Sequence, residues 1–169
     1  MAVHFTSQEF KNRKEKVLKH MDEANVDALL MFKQESMYWL TGYDTFGYVF
    51  FQTLLLDKNG NIILLTRAPD LRQAQNTSNI EDIRIWVDKD GSNPTDDLKL
   101  ILNELNLKSK KIGIEYEAYG MTGRNALRLN KSLEYYCEVE DHSELITRHR
   151  VIKSQEEILY IKIGADLGD

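Results

Sequence analysis

The sequence predicts an α/β fold, with a mixed, partly parallel sheet and helices on both faces. Apolar runs of strand length alternate with amphipathic segments of helix length over most of the 169 residues. Strands separated by helices need crossover connections, which imply parallel pairing. One pair of apolar runs is instead separated by the turn residues 57–60 (Asp-Lys-Asn-Gly), which predict an antiparallel hairpin.

The first predicted element is a helix that begins after Thr6. Thr6 and Glu9 form a capping-box pattern, in which each side chain satisfies a backbone donor of the other residue. A short apolar run at residues 26–32 then predicts a buried strand, and residues 35–40 predict one or two helical turns. The first helix has one apolar face, formed by Phe10, Val17, Leu18 and Met21.

The middle of the chain predicts a loop, a hairpin and a helix. Glycines mark residues 41–47 as a loop, and the aromatic and aliphatic residues 48–56 predict a long strand. Residues 61–66 return as its partner, and Pro69 can open a helix that runs to about residue 75.

The second half continues the alternation. Residues 83–87 predict a strand, and Pro94 suits the first position of the next helix. Residues 111–116 predict a strand, residues 122–132 a helix, and residues 133–139 the last strand.

The end of the sequence predicts a helix that lacks a partner for its apolar stripe. Ser154 and Glu157 form a second capping box, and the sequence ends at Asp169. We interpret residues 1–150 as one domain and residues 151–169 as a linker and the first helix of a further domain. The alternative is a C-terminal helix that docks on the same domain.

The charges and the single cysteine exclude several classes. The 22 Lys and Arg residues are mixed with 27 Asp and Glu, for a net charge of −5, so we expect no nucleic-acid partner. The apolar runs are too short for a membrane span. Cys137 has no partner for a disulfide within the chain and the N-terminus lacks a signal-peptide core, so we expect a cytoplasmic protein.

The sequence offers no catalytic or metal-binding motif. H-E-x-x-H, C-x-x-C, P-loop and nucleophile-elbow patterns do not occur. The four histidines are interpreted as surface residues and Cys137 as a small structural residue. We therefore predict no catalytic residue and no metal ligand in this chain.

Residues 38–48 stand out because five of these eleven residues are aromatic. Tyr38, Trp39 and Leu40 are interpreted as core packing. A carboxylate among aromatic side chains in a loop suits a ligand or a subunit interface. We predict an exposed recognition loop formed by Tyr43, Asp44, Phe46 and Tyr48.

Two motifs carry a family resemblance. Residues 38–43 are Tyr-Trp-Leu-Thr-Gly-Tyr, and residues 150–154 are Arg-Val-Ile-Lys-Ser, followed by Glu157-Ile158 and Ala165. Over residues 5–169 the chain resembles the N-terminal domain of the creatinase, prolidase and aminopeptidase P metallohydrolases. Gln155 replaces a proline that is frequent in the family.

The resemblance implies a ribonuclease H-like N-terminal domain joined to a C-terminal pita-bread catalytic domain. In the peptidases that second domain binds two divalent metals, such as Mn, Co or Zn, through two Asp, one His and two Glu. None of these ligands can be assigned to a residue of this sequence, so no cofactor is expected within it. Creatinase-like members hydrolyse their substrates without the metal pair.

The resemblance also implies a supporting role in a homodimer. The loop after the Thr-Gly pair would reach the partner's active site, so Tyr43, Asp44, Phe46 and Tyr48 are expected to help bound a small peptide or amidino substrate. The parent protein would be an Xaa-Pro peptidase. The alternatives are a creatinase-like amidinohydrolase and a catalytically inactive protein-binding module.

Overall fold

The computed structural model describes residues 4–168, which form six strands and seven α-helices. The strands are β1 (Ala28–Met31), β2 (Thr53–Asp57), β3 (Ile62–Arg67), β4 (Asp82–Trp86), β5 (Lys111–Ile114) and β6 (Glu138–Asp141). The helices are α1 (Ser7–Glu23), α2 (Gln34–Thr41), α3 (Leu71–Thr77), α4 (Pro94–Glu104), α5 (Gly123–Leu133), α6 (Leu145–Val151) and α7 (Gln155–Gly168). A 3-10 turn, Ala68–Asp70, precedes α3.

The six strands form one mixed sheet in the order β4-β3-β2-β1-β5-β6. The predicted hairpin is confirmed, because β2 pairs antiparallel with β3, and β2 also pairs antiparallel with β1. The pairs β1–β5, β3–β4 and β5–β6 are parallel. The predicted mixed, partly parallel sheet is therefore confirmed.

Alternate residues of the central strands face two separate cores. Leu29 lies opposite Leu56, and both belong to the core covered by α1, α2, α3 and α6. Leu30 lies opposite Leu55, and both belong to the core covered by α4 and α5. Because successive side chains of a strand point to opposite faces, an apolar strand with helices on both sides is buried completely.

Only one of the two hydrogen bonds of the capping box predicted at the start of α1 is present. The Thr6 hydroxyl accepts a hydrogen bond from the Glu9 backbone N–H at 3.2 Å, as predicted. The Glu9 carboxylate instead accepts from Arg13 Nε at 2.9 Å, because a charged donor lies one turn along the same helix. The Thr6 N–H donates to Glu156 of α7 at 3.1 Å.

Two predicted strands begin later than expected. The strand predicted at residues 48–56 starts only at Thr53, because Phe50 N–H donates to the Gly47 carbonyl and makes a turn. The strand predicted at residues 133–139 is replaced by the end of α5 and by β6. Tyr135 has a φ of 58° between them, which interrupts extended backbone.

The predicted capping box of α7 is confirmed. The Glu157 N–H donates to the Ser154 hydroxyl at 3.2 Å, and the Ser154 N–H donates to the Glu157 carboxylate at 2.7 Å. The division predicted between residues 150 and 151 falls in the last turn of α6 and stays a prediction. The outer limits predicted at residues 1 and 169 lie outside the described residues. Within residues 4–168 no helix combines the length and apolar character of a bilayer span.

Candidate functional site

The candidate site is a loop, residues 42–52, which we call the aromatic loop. It begins where α2 ends, at Gly42, whose φ of 83° is left-handed and whose N–H donates to the Tyr38 carbonyl at 2.7 Å. A glycine takes this conformation without steric cost, so the Thr-Gly pair at residues 41–42 ends the helix and redirects the chain.

Tyr43 anchors the loop to the protein interior. Its side chain has no exposed surface, and its hydroxyl donates to Gln52 Oε1 at 2.9 Å. The Gln52 amide donates in turn to the Thr45 hydroxyl at 3.1 Å, which also accepts from the Gly47 N–H at 2.9 Å. Burial raises the pKa of Tyr43. The prediction that Tyr43 is exposed was therefore wrong, because its ring fills the core beneath the loop and its hydroxyl closes a buried polar network.

Three of the four predicted site residues are exposed. Phe46 is 84% exposed, Tyr48 is 37% exposed, and Asp44 also faces solvent. The loop backbone is nevertheless held, because Asp44 N–H donates to the Thr77 hydroxyl at 3.2 Å and Phe46 N–H to the Gln73 side chain at 3.4 Å. The loop therefore presents exposed side chains on a backbone that hydrogen bonds hold at residues 44 and 46.

A second segment, around Gly120, supports the outer side of the loop. A Cβ atom at Gly120 would overlap the Phe50 carbonyl oxygen and lie 3.0 Å from the Tyr48 carbonyl oxygen. Next to it, the Tyr119 and Tyr48 rings meet edge to face at 5.7 Å between centroids. The sequence did not predict this contact, since nothing local connects these residues across the sheet.

Arg67 supports the last part of the loop. Its guanidinium lies 3.4 Å from the centroid of the Phe50 ring, and its Nε is 3.1 Å from an Asp70 carboxylate oxygen. The Trp86 indole N–H donates to the Phe51 carbonyl at 3.0 Å. Strands β3 and β4 therefore hold the chain where it enters β2.

Several large apolar side chains of this region remain exposed. They form what we call the aromatic surface: Phe46, Tyr48, Val49, Phe50 and Tyr119. An exposed group of this kind on a folded domain is typical of an interaction site.

A buried carboxylate fixes the helix that precedes the loop. Glu115 follows β5, is fully buried, and accepts hydrogen bonds from the N–H groups of Phe32 and Lys33 at 2.9 and 3.0 Å. The Ser36 hydroxyl donates to its other oxygen at 2.6 Å. Burial raises the pKa of Glu115 to about 7. The sequence analysis missed this residue, because an isolated glutamate after a strand carries no local signal.

Among the described residues we looked for groups that could hold a metal ion and for a reactive thiol. No cluster of three or more His, Cys, Asp or Glu side chains within residues 4–168 is placed to hold a metal ion, so these residues do not fit a divalent metal pair. Burial raises the pKa of Cys137 to about 11, which disfavours the nucleophilic thiolate.

The histidines predicted to lie on the surface have partners among the described residues. His20 and His149 are half-buried and hydrogen-bond to each other at 3.2 Å across α1 and α6. His4 is exposed and hydrogen-bonds to the Tyr38 hydroxyl at 2.7 Å. His142 is half-buried beside Glu140, at 3.3 Å.

The fold is a mixed α/β domain with an exposed loop rich in aromatic residues. The sequence profile of the Creatinase/Prolidase N-terminal domain matches residues 13–152. The chain belongs to this family.

Two curated relatives and one solved structure illustrate the likeness. The chain is 27% identical over 167 residues to the uncharacterized hydrolase/peptidase y4tM of Sinorhizobium fredii, covering 95% of this chain and 42% of that protein. It is 26% identical over 174 residues to the ectoine hydrolase of Halomonas elongata, covering 99% of this chain and 43% of that protein.

The solved structure is a dipeptidase from Pyrococcus horikoshii OT3. It superposes with a TM-score of 0.68 at 25% identity, over 85% of this chain and 38% of that chain. The chain therefore spans less than half the length of each of these three proteins. The resemblance recognised in the sequence is confirmed at the level of the N-terminal domain and its fold.

Proposed function

We propose that this chain is the non-catalytic N-terminal domain of a cytoplasmic, homodimeric Xaa-Pro peptidase, and that its aromatic loop helps to bound the substrate. The observation that carries the proposal is the combination of a fixed loop backbone with the exposed side chains of Asp44 and Phe46. A pre-organised loop loses little conformational freedom when it binds, so its contacts contribute fully to orientation.

The chemistry of the two side chains fits a small peptide. Aromatic rings line the grooves in which proteins bind proline-containing segments, and Phe46 offers such a ring. The Asp44 carboxylate suits the amino group of a peptide. The reacting groups would come from a C-terminal catalytic domain that follows in the parent protein, with a divalent metal pair such as Mn, Co or Zn.

The aromatic surface supports the proposed homodimer. Exposed apolar side chains on and beside the aromatic loop can contact a second copy and place the loop at the partner's active site. In a symmetric dimer both copies use the same surface, so one substitution changes the interface at two places.

One alternative is a creatinase-like amidinohydrolase. The Asp44 carboxylate also suits a guanidinium group. One of the two curated relatives is named an ectoine hydrolase, an enzyme that acts on a small molecule, and it is as similar to this chain as the hydrolase/peptidase relative. A protein-binding module without catalysis is the other alternative, and the aromatic surface favours it if no hydrolase activity is found.

The substrate role is tested in the full-length parent protein with an Xaa-Pro dipeptide. We expect Phe46→Ala and Asp44→Asn to raise KM by about tenfold each, as expected for the loss of a contact worth about 1.4 kcal/mol. Leu127→Ala, on the exposed surface of α5, is the matched control. Unchanged KM and kcat in both loop variants would contradict the substrate role.

The dimer is tested separately, by sedimentation equilibrium. We expect Val49→Asp to shift the protein towards monomer, because it places a charge in the aromatic surface, while Leu127→Asp leaves the mass unchanged. If both variants keep the wild-type mass, the aromatic surface is not the dimer contact.

A further inference from the structure

The guanidinium of Arg13 lies in the interior and contacts three helices. Its side chain is 1% exposed. Nε lies 2.9 Å from a Glu9 carboxylate oxygen in α1, and Nη1 donates to the Trp39 carbonyl of α2 at 2.7 Å. Nη2 lies 3.3 Å from Glu157 Oε1 of α7. The buried cation therefore hydrogen-bonds to the Glu9 carboxylate and to a backbone carbonyl, and it pairs with Glu157 by charge alone, because Nη2 makes no hydrogen bond.

Aromatic rings close the faces of the same guanidinium. The central carbon of Arg13 lies 4.0 Å from the centroid of the Phe5 ring and 5.2 Å from that of Trp39. Both distances are within the range of cation–π attraction. Water is excluded from these faces, so the ion pairs with Glu9 and Glu157 lie in a low dielectric and depend strongly on correct geometry.

Glu157 provides a second link between the same helices. The carboxylate oxygen that faces Arg13 also accepts a hydrogen bond from the Trp39 indole N–H at 3.0 Å. The other oxygen accepts from the Ser154 N–H and caps α7. Glu157 therefore links the start of α7 to α2 directly, by the hydrogen bond from Trp39, and less directly by its ion pair with Arg13.

The rest of α7 contributes little to its own placement. The helix has no buried residue. Its further hydrogen bonds to the domain come from Glu156, which accepts from the Thr6 N–H and hydroxyl, and from Tyr160, whose hydroxyl donates to the His4 carbonyl at 2.6 Å. Polar contacts of the first turns, with one edge-to-face contact between the Tyr160 and Phe5 rings at 5.4 Å, therefore set the direction of α7.

We infer that Arg13 is a positioning residue that locks α7 to α2, so that α7 keeps a fixed direction relative to the aromatic loop. Trp39 is the link, because it contacts both Arg13 and Glu157 and lies three residues before Gly42, where the loop begins. This inference concerns the chain itself and holds whether or not the loop contacts a substrate.

The lock is tested on this chain with nitroxide labels at the exposed positions 15 in α1 and 162 in α7, after Cys137→Ser removes the native thiol. When Glu157 and Arg13 are unchanged, electron–electron double resonance should give one narrow distribution of the distance between the two labels. Glu157→Ala and Arg13→Met should broaden it about twofold, because no residue of α7 is buried and its first turn is held mainly by polar contacts.

Native-state proteolysis provides the second measurement. Lys153 lies in the segment between α6 and α7 and is a trypsin site. In both variants we expect cleavage after Lys153 to become about tenfold faster, since local opening controls access to a segment of this kind. Glu23→Ala, which removes the exposed Lys19–Glu23 pair, is the matched control and should change neither measurement.

Two results would overturn the lock. The first is a folded Glu157→Ala protein with wild-type distances and wild-type cleavage; this substitution lies outside both cores, so we expect it to fold even if Arg13→Met does not. The second is a Ser154→Ala protein that matches Glu157→Ala in both measurements, because helix capping alone would then explain the position of α7.

Discussion

The Ser36 hydroxyl donates a hydrogen bond to the Glu115 carboxylate at 2.6 Å, in a fully buried position between β5 and α2. With the two backbone N–H groups on its other oxygen, this carboxylate occupies the N-terminus of α2, where Lys33 offers no side-chain cap. The helix dipole and these donors favour the anion, while burial opposes it. Burial prevails, and the pKa of Glu115 rises to about 7.

Glu115 should therefore make the stability of the domain depend on pH. Between about pH 4.5 and 7 the folded protein retains a proton that the unfolded chain has released, so the unfolding free energy falls as the pH rises through this window. The upper limit is about 3 kcal/mol, at 1.36 kcal/mol for each unit of pKa. Urea denaturation of wild type and Glu115→Gln from pH 5 to pH 8 measures this dependence.

Glu115→Gln is suited to the test because a glutamine can keep every contact. Its carbonyl can accept from the two N–H groups, and its amide can donate to the Ser36 hydroxyl. We expect the pH slope of the variant to be flatter than that of wild type. Identical slopes would show that Glu115 does not titrate in this range.

Gly120→Ala should disturb the aromatic loop. The added Cβ overlaps the Phe50 carbonyl oxygen, which is backbone and has little freedom to move. We expect a loss of about 1–3 kcal/mol in unfolding free energy, the usual range for overpacking. Gly123→Ala at the start of α5 meets no atom within 4 Å, so it should be neutral or stabilising. Equal stability of the two variants would contradict the close approach.

Tyr43→Phe and Phe46→Ala should affect the stability of the domain to different extents, because the Tyr43 side chain is buried and the Phe46 side chain is exposed. Removing the Tyr43 hydroxyl eliminates a buried hydrogen bond to Gln52, at a cost of about 1 kcal/mol. Truncating the exposed Phe46 ring should change stability by less than about 0.5 kcal/mol. Thermal or urea unfolding measures both, and the reverse order of effects would contradict the positions of these two side chains.

Cys137 should react slowly with thiol reagents in the folded protein. Burial raises its pKa to about 11, about two units above that of an unburied cysteine, so the thiolate fraction falls about a hundredfold. We expect the rate with an aromatic disulfide at pH 8 to rise by at least about a hundredfold in denaturant. Similar rates in the two conditions would show that the thiol is not protected.

The fold class could be predicted because each strand and helix carries its own local signal. The turn at residues 57–60 predicts the β2–β3 hairpin, and Pro94 marks the start of α4. Helix α6 was missed, because its seven residues are too few to show a period and it begins without a side-chain cap.

The candidate site could be predicted only in part. Density of aromatic residues identified the loop, but it could not distinguish the buried Tyr43 from the exposed Phe46, since both are aromatic and lie in the same loop. The supports from Arg67, Gly120 and Glu115 come from distant strands and loops. Contacts of this kind form only once the sheet is assembled, so they cannot be predicted from the local sequence.

The position of β1 in the sheet has a consequence for the growing chain. On one side β1 pairs with β2, which follows it soon in the sequence, but on the other side it pairs with β5, where Ala28 meets Ile112. During synthesis the first three strands can assemble long before β5 leaves the ribosome. Until then β1 presents an apolar, unpaired edge, which is a template for association with other chains. Production of shortened versions that end before Lys111 should therefore yield aggregates, while versions that include β5 and β6 close that edge.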